Sequence, residues 1–206
     1  MSYKNHFKRI RESEYFIRRK IEQTLKAIQF DEEIKEIAGN HDTYFDMWQA
    51  TYGDKFYDMT TIVRLGTTIE MCLKDYYQSR KGFSSRKELK DHINSKQNIF
   101  QQVFPWHNQG ILTKIESEFQ VELFQIPQLK IMQETMLFRH LYAHNSGLLD
   151  KKFVDDYKRL SNIDLSSSSS EYRDYEIEDY FYFEPLKKVS HFIDGTEKFF
   201  DKLYAL

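Results

Sequence analysis

Cysteine, proline and glycine are all scarce in this chain. Its 206 residues include one Cys, three Pro and seven Gly. So few turn-forming residues argue against an all-β fold with many tight turns. Cys72 has no partner for an intrachain disulfide, and we therefore expect an intracellular protein.

Long apolar runs and a strong excess of either charge are also missing. No stretch approaches the ~20 apolar residues that a membrane-spanning helix needs, and the charged segment 1–25 is unlike a signal peptide. The formal net charge is -2, so no general attraction to nucleic acid follows from it. We expect a cytoplasmic protein with no membrane partner, built as one domain or one domain with an appendage.

Apolar residues recur at helical intervals along most of the chain. The spacing predicts helices over 3–29, from Asp31 to Gly39, from Asp42 to Gly53, and over 55–79, 86–101 after an N-cap at Ser85, 110–119, from Ile126-Pro127 to just before Gly147, and over 151–160 and 185–204. The five serines from Ser166 predict a loop, and the run Tyr180 to Phe183 fits either a strand or a helix start. The predicted architecture is an all-α bundle.

Reactive side chains are densest at the end of the helix that follows Pro127. Arg139 precedes His144 by five residues, with His140 between them, and Asn145, Ser146 and Gly147 supply a helix stop. A permanently charged Arg and a His that changes charge near neutral pH suit chemistry on a phosphate. RNA carries its own nucleophile, the ribose 2′-OH, so cleavage needs only a proton-transfer group and a stabilising cation. His144 and Arg139 fit those two roles without a metal.

Other interpretations of these residues remain open. His140 and His144 lie four apart, as in a zinc-protease pair, but Leu141 replaces the required Glu and only Asp150 offers a third ligand. Cys72 lies beside an apolar stripe without a catalytic motif, which is typical of a structural cysteine. Arg139 and His144 are also suited to capping a helix end, where a cation is worth roughly 0.3–1 kcal/mol.

The segment resembles the signature of the HEPN superfamily (higher eukaryotes and prokaryotes nucleotide-binding). That signature is an Arg, four to six residues and a His, often with a polar residue directly after the Arg, the position of His140. The continuation from His144 to Asp150 resembles the His-Asn-x-Gly-x-x-Asp form of a large branch. The likeness covers about 55–205, so we expect a HEPN-like domain over 55–206 and an N-terminal helical extension over 1–54.

This resemblance implies a HEPN-like helical bundle that forms a C2 homodimer, with the two motifs in a cleft between protomers. It implies a metal-independent endoribonuclease without a cofactor: an RNA-binding nuclease (hydrolase) acting as a toxin of a toxin–antitoxin system, or in antiviral defence or stress response. RNA would be the substrate, and an antitoxin or regulatory protein a further partner. The alternative is a non-catalytic dimer module that binds nucleic acid or protein.

The resemblance also assigns roles to individual residues. Arg139 and His144 would be catalytic, with His140 and Asn145 as auxiliary residues. Glu70 would be a further auxiliary acid near the Arg, or else an ordinary Glu at the boundary of its helix. One toxin branch carries a Tyr two residues after the His as a modification site, where this chain has Ser146.

Aromatic and basic residues offer a second kind of nucleic-acid contact. Four aromatic residues are candidates for stacking on unpaired bases or, alternatively, for core packing: Phe104, Trp106, Tyr142 and Phe153. The basic stretch from Arg80 to Lys96 is typical of a solvated face or of a surface that holds a polyanion.

Overall fold

The computed structural model describes residues 2–27, 53–93, 99–165, 176–177, 181 and 188–206. Its helices are α1 (Tyr3–Ala27), α2 (Gly53–Lys81), α3 (Arg86–Ile93), α4 (Ile111–Phe119), α5 (Leu129–His144), α6 (Lys151–Ser161) and α7 (Val189–Leu203), with single 3-10 turns at Ile99–Gln101 and Leu123–Gln125. These described residues contain no strand. The described part of the chain is therefore all-α, as its periodicity predicts.

The helices follow the predicted ranges closely, with one correction at α7. The predicted helix began at residue 185, but Lys188 has an extended backbone (φ -85°, ψ 153°) and α7 begins at Val189. A residue with an extended backbone cannot belong to the helix, so Lys188 is the N-cap that precedes the first helical residue. The predicted helices between residues 31 and 52, the serine loop and Pro185 lie outside the described residues, as does the run from 180 to 183 apart from Phe181.

Ser85 caps α3 as its position predicts. Its Oγ accepts a hydrogen bond from the backbone N–H of Glu88 at 3.2 Å, while the Glu88 carboxylate accepts from the backbone N–H of Ser84 at 2.8 Å. This reciprocal arrangement is related to a capping box. The described part of the predicted range 86–101 consists of α3 and the turn Ile99–Gln101.

Helix α5 lies at the centre of the bundle. It packs against α2, α6 and α7, while α1 packs against α2 and α7. Its side chains are buried continuously from Met132 to Phe138, so it has no broad solvent face of the kind found on a surface helix. Beyond this buried stretch, the last turns from Arg139 to His144 bring polar side chains towards the surface.

Helix α1 shares this core through its first turns. Phe7 and Ile10 are buried, whereas Ile17, predicted on the same stripe, is 38% exposed. The boundary proposed at residue 54 stays a prediction. None of the described helices is long and apolar enough to span a membrane.

The predicted inward face of α7 is confirmed over the described residues. These apolar side chains are buried: Val189, Phe192, Ile193, Phe199, Phe200 and Leu203. Gly195 lets α7 approach α5, because a Cβ there would lie 2.5 Å from Ile131 Cγ2. Leu186, the remaining member of the predicted stripe, lies outside the described residues.

Candidate active site at the end of α5

Arg139 is held against α2 by a carboxylate. Its Nη2 lies 3.0 Å from Glu70 Oε1, and the two side chains are only 14% and 8% exposed. Lys74 Nζ lies 3.9 Å from the other oxygen of Glu70. Burial of both partners strengthens their attraction, because little water screens it. Glu70, one of the predicted auxiliary residues, is thus a direct partner of Arg139.

Gly66 makes room for Arg139 on the surface of α2. A Cβ at this position would lie 2.2 Å from Arg139 Cδ and 2.8 Å from Arg139 Cβ, so any larger residue conflicts with the observed side chain. Gly66 precedes Glu70 by one helical turn, and the Arg139 side chain contacts both positions. Sequence reasoning missed this residue. Its only signal is a glycine inside a periodic helix, which costs about 1 kcal/mol relative to Ala and often marks a close approach.

His140 and His144 lie one turn apart on a different face of α5. Their ring centroids are 4.9 Å apart; His140 is partly buried and His144 is exposed. Burial, and then the nearby Lys152 and His144, lower the pKa of His140 below its usual value. The lowered pKa favours the neutral ring of His140, which has a nitrogen able to accept a proton.

Arg139 and His144 do not meet within one protomer. Five residues correspond to a rotation of about 140° around an ideal α-helix, so one side chain turns towards α2 while the other reaches solvent. No hydrogen bond joins them in the described part of the chain, and neither donates one to a backbone carbonyl there. The helix-cap interpretation therefore has no supporting contact, and a site that uses both residues needs a further element.

The remaining motif residues build the turn between α5 and α6. The backbone N–H groups of Asn145 and Gly147 both donate to the carbonyl of Leu141, at 2.9 and 3.3 Å. Gly147 has a φ of 89°, which favours glycine and agrees with its predicted place just past the helix end. This geometry stops α5 directly after His144.

Asn145 and Asp150 tie the two helices together. Asn145 Nδ2 donates to Asp150 Oδ2, and Asp150 Oδ1 accepts from the backbone N–H of Phe153 at 2.6 Å. Asp150 is thus the N-cap of α6. The side-chain amide of Asn145, an auxiliary candidate, thus links the end of α5 to the residue that caps α6.

The competing metal and thiol interpretations gain no support from these contacts. Both carboxylate oxygens of Asp150, the only candidate third ligand, already accept hydrogen bonds. No cluster of three metal-ligating side chains occurs within the described ranges. Cys72 is fully buried, and burial raises the pKa of its thiol to about 12, which disfavours a reactive thiolate.

A cleft of about 230 Å³ opens beside Arg139. His107, His140 and Lys152 also line it, so imidazoles and cations converge on one concave surface. His107 comes from the loop before α4 and Lys152 from the first turn of α6. The sequence singled out neither residue, because they are distant from the motif along the chain.

The four aromatic residues predicted to stack on bases or pack in the core differ in burial. Phe104, Tyr142 and Phe153 belong to the core, whereas Trp106 is only partly buried and packs against it. In the basic stretch, Lys81 Nζ lies 2.7 Å from a Glu118 carboxylate oxygen, and Arg86 pairs with Asp75. Part of that stretch is therefore neutralised locally.

No protein-family model matches the chain, and neither a curated protein nor a solved structure is significantly similar to it.

Proposed function

We propose that this protein is a metal-independent endoribonuclease of HEPN type that acts as a homodimer. The observation that carries the proposal is the pairing of Arg139 with Glu70 beside a cleft that Arg139 shares with His140 and Lys152. A positioned guanidinium in such a cleft suits the phosphate of a phosphodiester, and the exposed His144 is the proton-transfer group of the same motif. The resemblance of the Arg139–Asp150 segment to the HEPN signature supplies the rest of the argument.

The proposed reaction is a transesterification. The ribose 2′ oxygen attacks the adjacent phosphorus and the 5′ oxygen of the next nucleotide leaves, so the products carry a 2′,3′-cyclic phosphate and a 5′-hydroxyl. His144 removes the proton from the 2′-OH or gives one to the leaving oxygen. Arg139 stabilises the extra negative charge on the phosphoryl oxygens through its planar fork of N–H donors.

A homodimer supplies the element that one protomer lacks. Arg139 and His144 lie on faces of α5 about 140° apart, and His144 is exposed at the helix end. A two-fold axis near α5 brings the same patch from both copies together. His144 of one copy then lies near the Arg139 cleft of its partner, and the composite site holds two copies of each group.

The proposed biological role is that of a toxin or an effector of phage defence or stress response in the cytoplasm. Such an enzyme requires control by an antitoxin or a regulatory protein. This part of the proposal depends on the resemblance alone.

A defined RNA with a single 2′-deoxy position tests the reaction directly. In EDTA, the protein should cut the all-ribose strand, leave a cyclic phosphate, and fail at the linkage that follows the deoxy sugar. Cutting at the deoxy position would rule out the proposed attack by the 2′ oxygen, and cutting that stops in EDTA would rule out metal independence.

A non-catalytic binding module is the second candidate. It is favoured by the ion pair itself, because Arg139 is already neutralised by Glu70 and does not contact His144. In that case Arg139→Lys, which keeps the charge but loses the bidentate fork, should leave RNA or partner binding nearly unchanged. If the site is catalytic, the same substitution should reduce the cleavage rate strongly.

A further inference from the structure

A second concave surface continues from the motif cleft. It is an open groove of about 520 Å³, lined among others by Trp106, Arg159 and the acids Asp155 and Asp156. His107 and Lys152 line both this groove and the motif cleft. We call it the Trp106 groove; its volume falls within the roughly 300–1,000 Å³ typical of ligand sites.

The groove contains a preformed aromatic stack. The Trp106 ring lies on the buried Phe104 ring, with centroids 4.7 Å apart and planes 8° from parallel. On Trp106, the guanidinium carbon of Arg159 lies 5.9 Å from the ring centroid. Contact with the buried Phe104 ring holds Trp106 in place. The exposed part of the stack can therefore bind a flat group with little loss of side-chain entropy. Flat aromatic and guanidinium surfaces are what unpaired bases stack on.

The basic side chains that line the Trp106 groove outnumber its acidic side chains. Lys152 Nζ lies 2.7 Å from Asp156 Oδ2, and Arg159 Nη1 lies 3.9 Å from the other oxygen. Two cations thus share one buried carboxylate, which leaves a net positive charge at the groove despite the acid. Lys151 and Asp155 are the remaining charged lining residues, and they offset each other. A negatively charged backbone can therefore pass along Lys152 towards Arg139.

We propose that the Trp106 groove binds one unpaired nucleotide of a single-stranded RNA, next to the phosphate in the motif cleft. Its base stacks on the surface formed by Trp106 and Arg159, and its phosphate lies at Lys152. The identification of that neighbouring phosphate as the scissile one rests on the proposed function. Double-stranded RNA is excluded from this site, because its bases are already stacked in pairs.

Tryptophan fluorescence tests the groove without requiring catalysis. The chain has two Trp residues, so Trp48→Phe leaves Trp106 as the sole reporter, and His144→Ala should slow any cleavage in the same protein. A short oligouridylate should quench the remaining fluorescence, and a duplex RNA of equal length should not. Absence of quenching at saturating oligouridylate would overturn the proposal.

Substitutions separate stacking from charge. Trp106→Ala should raise the Kd for oligouridylate by roughly 5- to 150-fold, and Trp106→Phe should restore most of the affinity. Trp106→Ala should not affect binding of inorganic polyphosphate, a polyanion without bases. Lys152→Gln should lower the slope of log K against log salt by about 0.7, whereas Trp106→Ala should leave that slope unchanged. Phe16→Ala, which removes an exposed ring from α1, is the matched control and should alter neither quantity.

Each contrary result has a defined meaning. Equal losses of oligouridylate and polyphosphate binding, or unchanged oligouridylate affinity in Trp106→Ala, would overturn the stacking site. A Trp106→Ala protein that loses dimers but keeps its RNA affinity would assign the groove to a second copy of this chain instead. Quenching by a wild-type protein that never cuts RNA would disprove the proposed function alone. Cleavage whose KM is insensitive to Trp106→Ala would disprove this inference alone.

Discussion

Substitution of Gly66 by Ala tests whether the Arg139 position depends on α2. The added Cβ would lie 2.2 Å from Arg139 Cδ, so the guanidinium must move away from Glu70 or the two helices must separate. Overpacking of this kind costs about 1–3 kcal/mol, and the better helix propensity of Ala returns about 1 kcal/mol. Displacement of a nearly buried Arg adds a further penalty of about 1–3 kcal/mol, because Glu70 loses its nearest cation. The expected net loss is about 3 kcal/mol, which for a chain of this size lowers Tm by about 6–12 °C.

The assay is a double-mutant cycle with thermal unfolding and RNA cleavage measured side by side. Removal of the Arg139 side chain beyond Cβ also removes the closest conflict, so Gly66→Ala should cost at least about 1 kcal/mol less in an Arg139→Ala background. Gly195→Ala is the matched control, since its Cβ meets Ile131 at 2.5 Å, away from the motif. It should destabilise the fold yet leave cleavage per folded molecule unchanged, whereas Gly66→Ala should reduce both. Equal costs in the two backgrounds, together with full cleavage by Gly66→Ala, would show that the position of Arg139 does not depend on Gly66.

Three further predictions concern assembly, protonation and the turn after α5. The protein should sediment as a dimer at micromolar concentration; a monomer alone would contradict the composite site. By NMR, His140 should titrate below the ordinary pKa of about 6.5, and Lys152→Ala should raise the midpoint of the His140 titration. Because folding disfavours the charged ring, the stability that neutral His140 contributes should be lost as the pH falls from that ordinary pKa through the lowered pKa of the folded protein. Asp150→Ala should cost about 1 kcal/mol by uncapping α6, whereas the exposed Asp155→Ala on the same helix should cost little, and equal effects on Tm would exclude the capping role.

The local part of this structure could be predicted from the sequence. Helices α2, α4 and α6 end within two residues of their predicted bounds, because apolar periodicity and stop signals such as Gly147 are encoded locally. The start of α7 was missed for the opposite reason. Pro185 favours a first helical turn, but the extended backbone of Lys188 has no comparable signal in the sequence.

At the candidate site, prediction from the sequence was limited by contacts between helices. The Arg139–Asp150 motif was recognisable, and the resemblance singled out Glu70 as an acid near the Arg. Gly66 and Lys152 were not found, since their proximity to Arg139 depends on how α2 and α6 pack against α5. Burial likewise separates Trp106 from Phe104, two aromatic residues that look alike in the sequence.

In the proposed reaction, His144 transfers a proton during RNA cleavage. The most direct test compares wild type with His144→Ala on one RNA in EDTA, with melting curves and sedimentation measured on the same samples. Loss of the proton-transfer group should slow cleavage by roughly 10²–10⁴-fold while Tm and the dimer are retained, since the His144 side chain is exposed. Equal cleavage by the two proteins would contradict the nuclease assignment of this site.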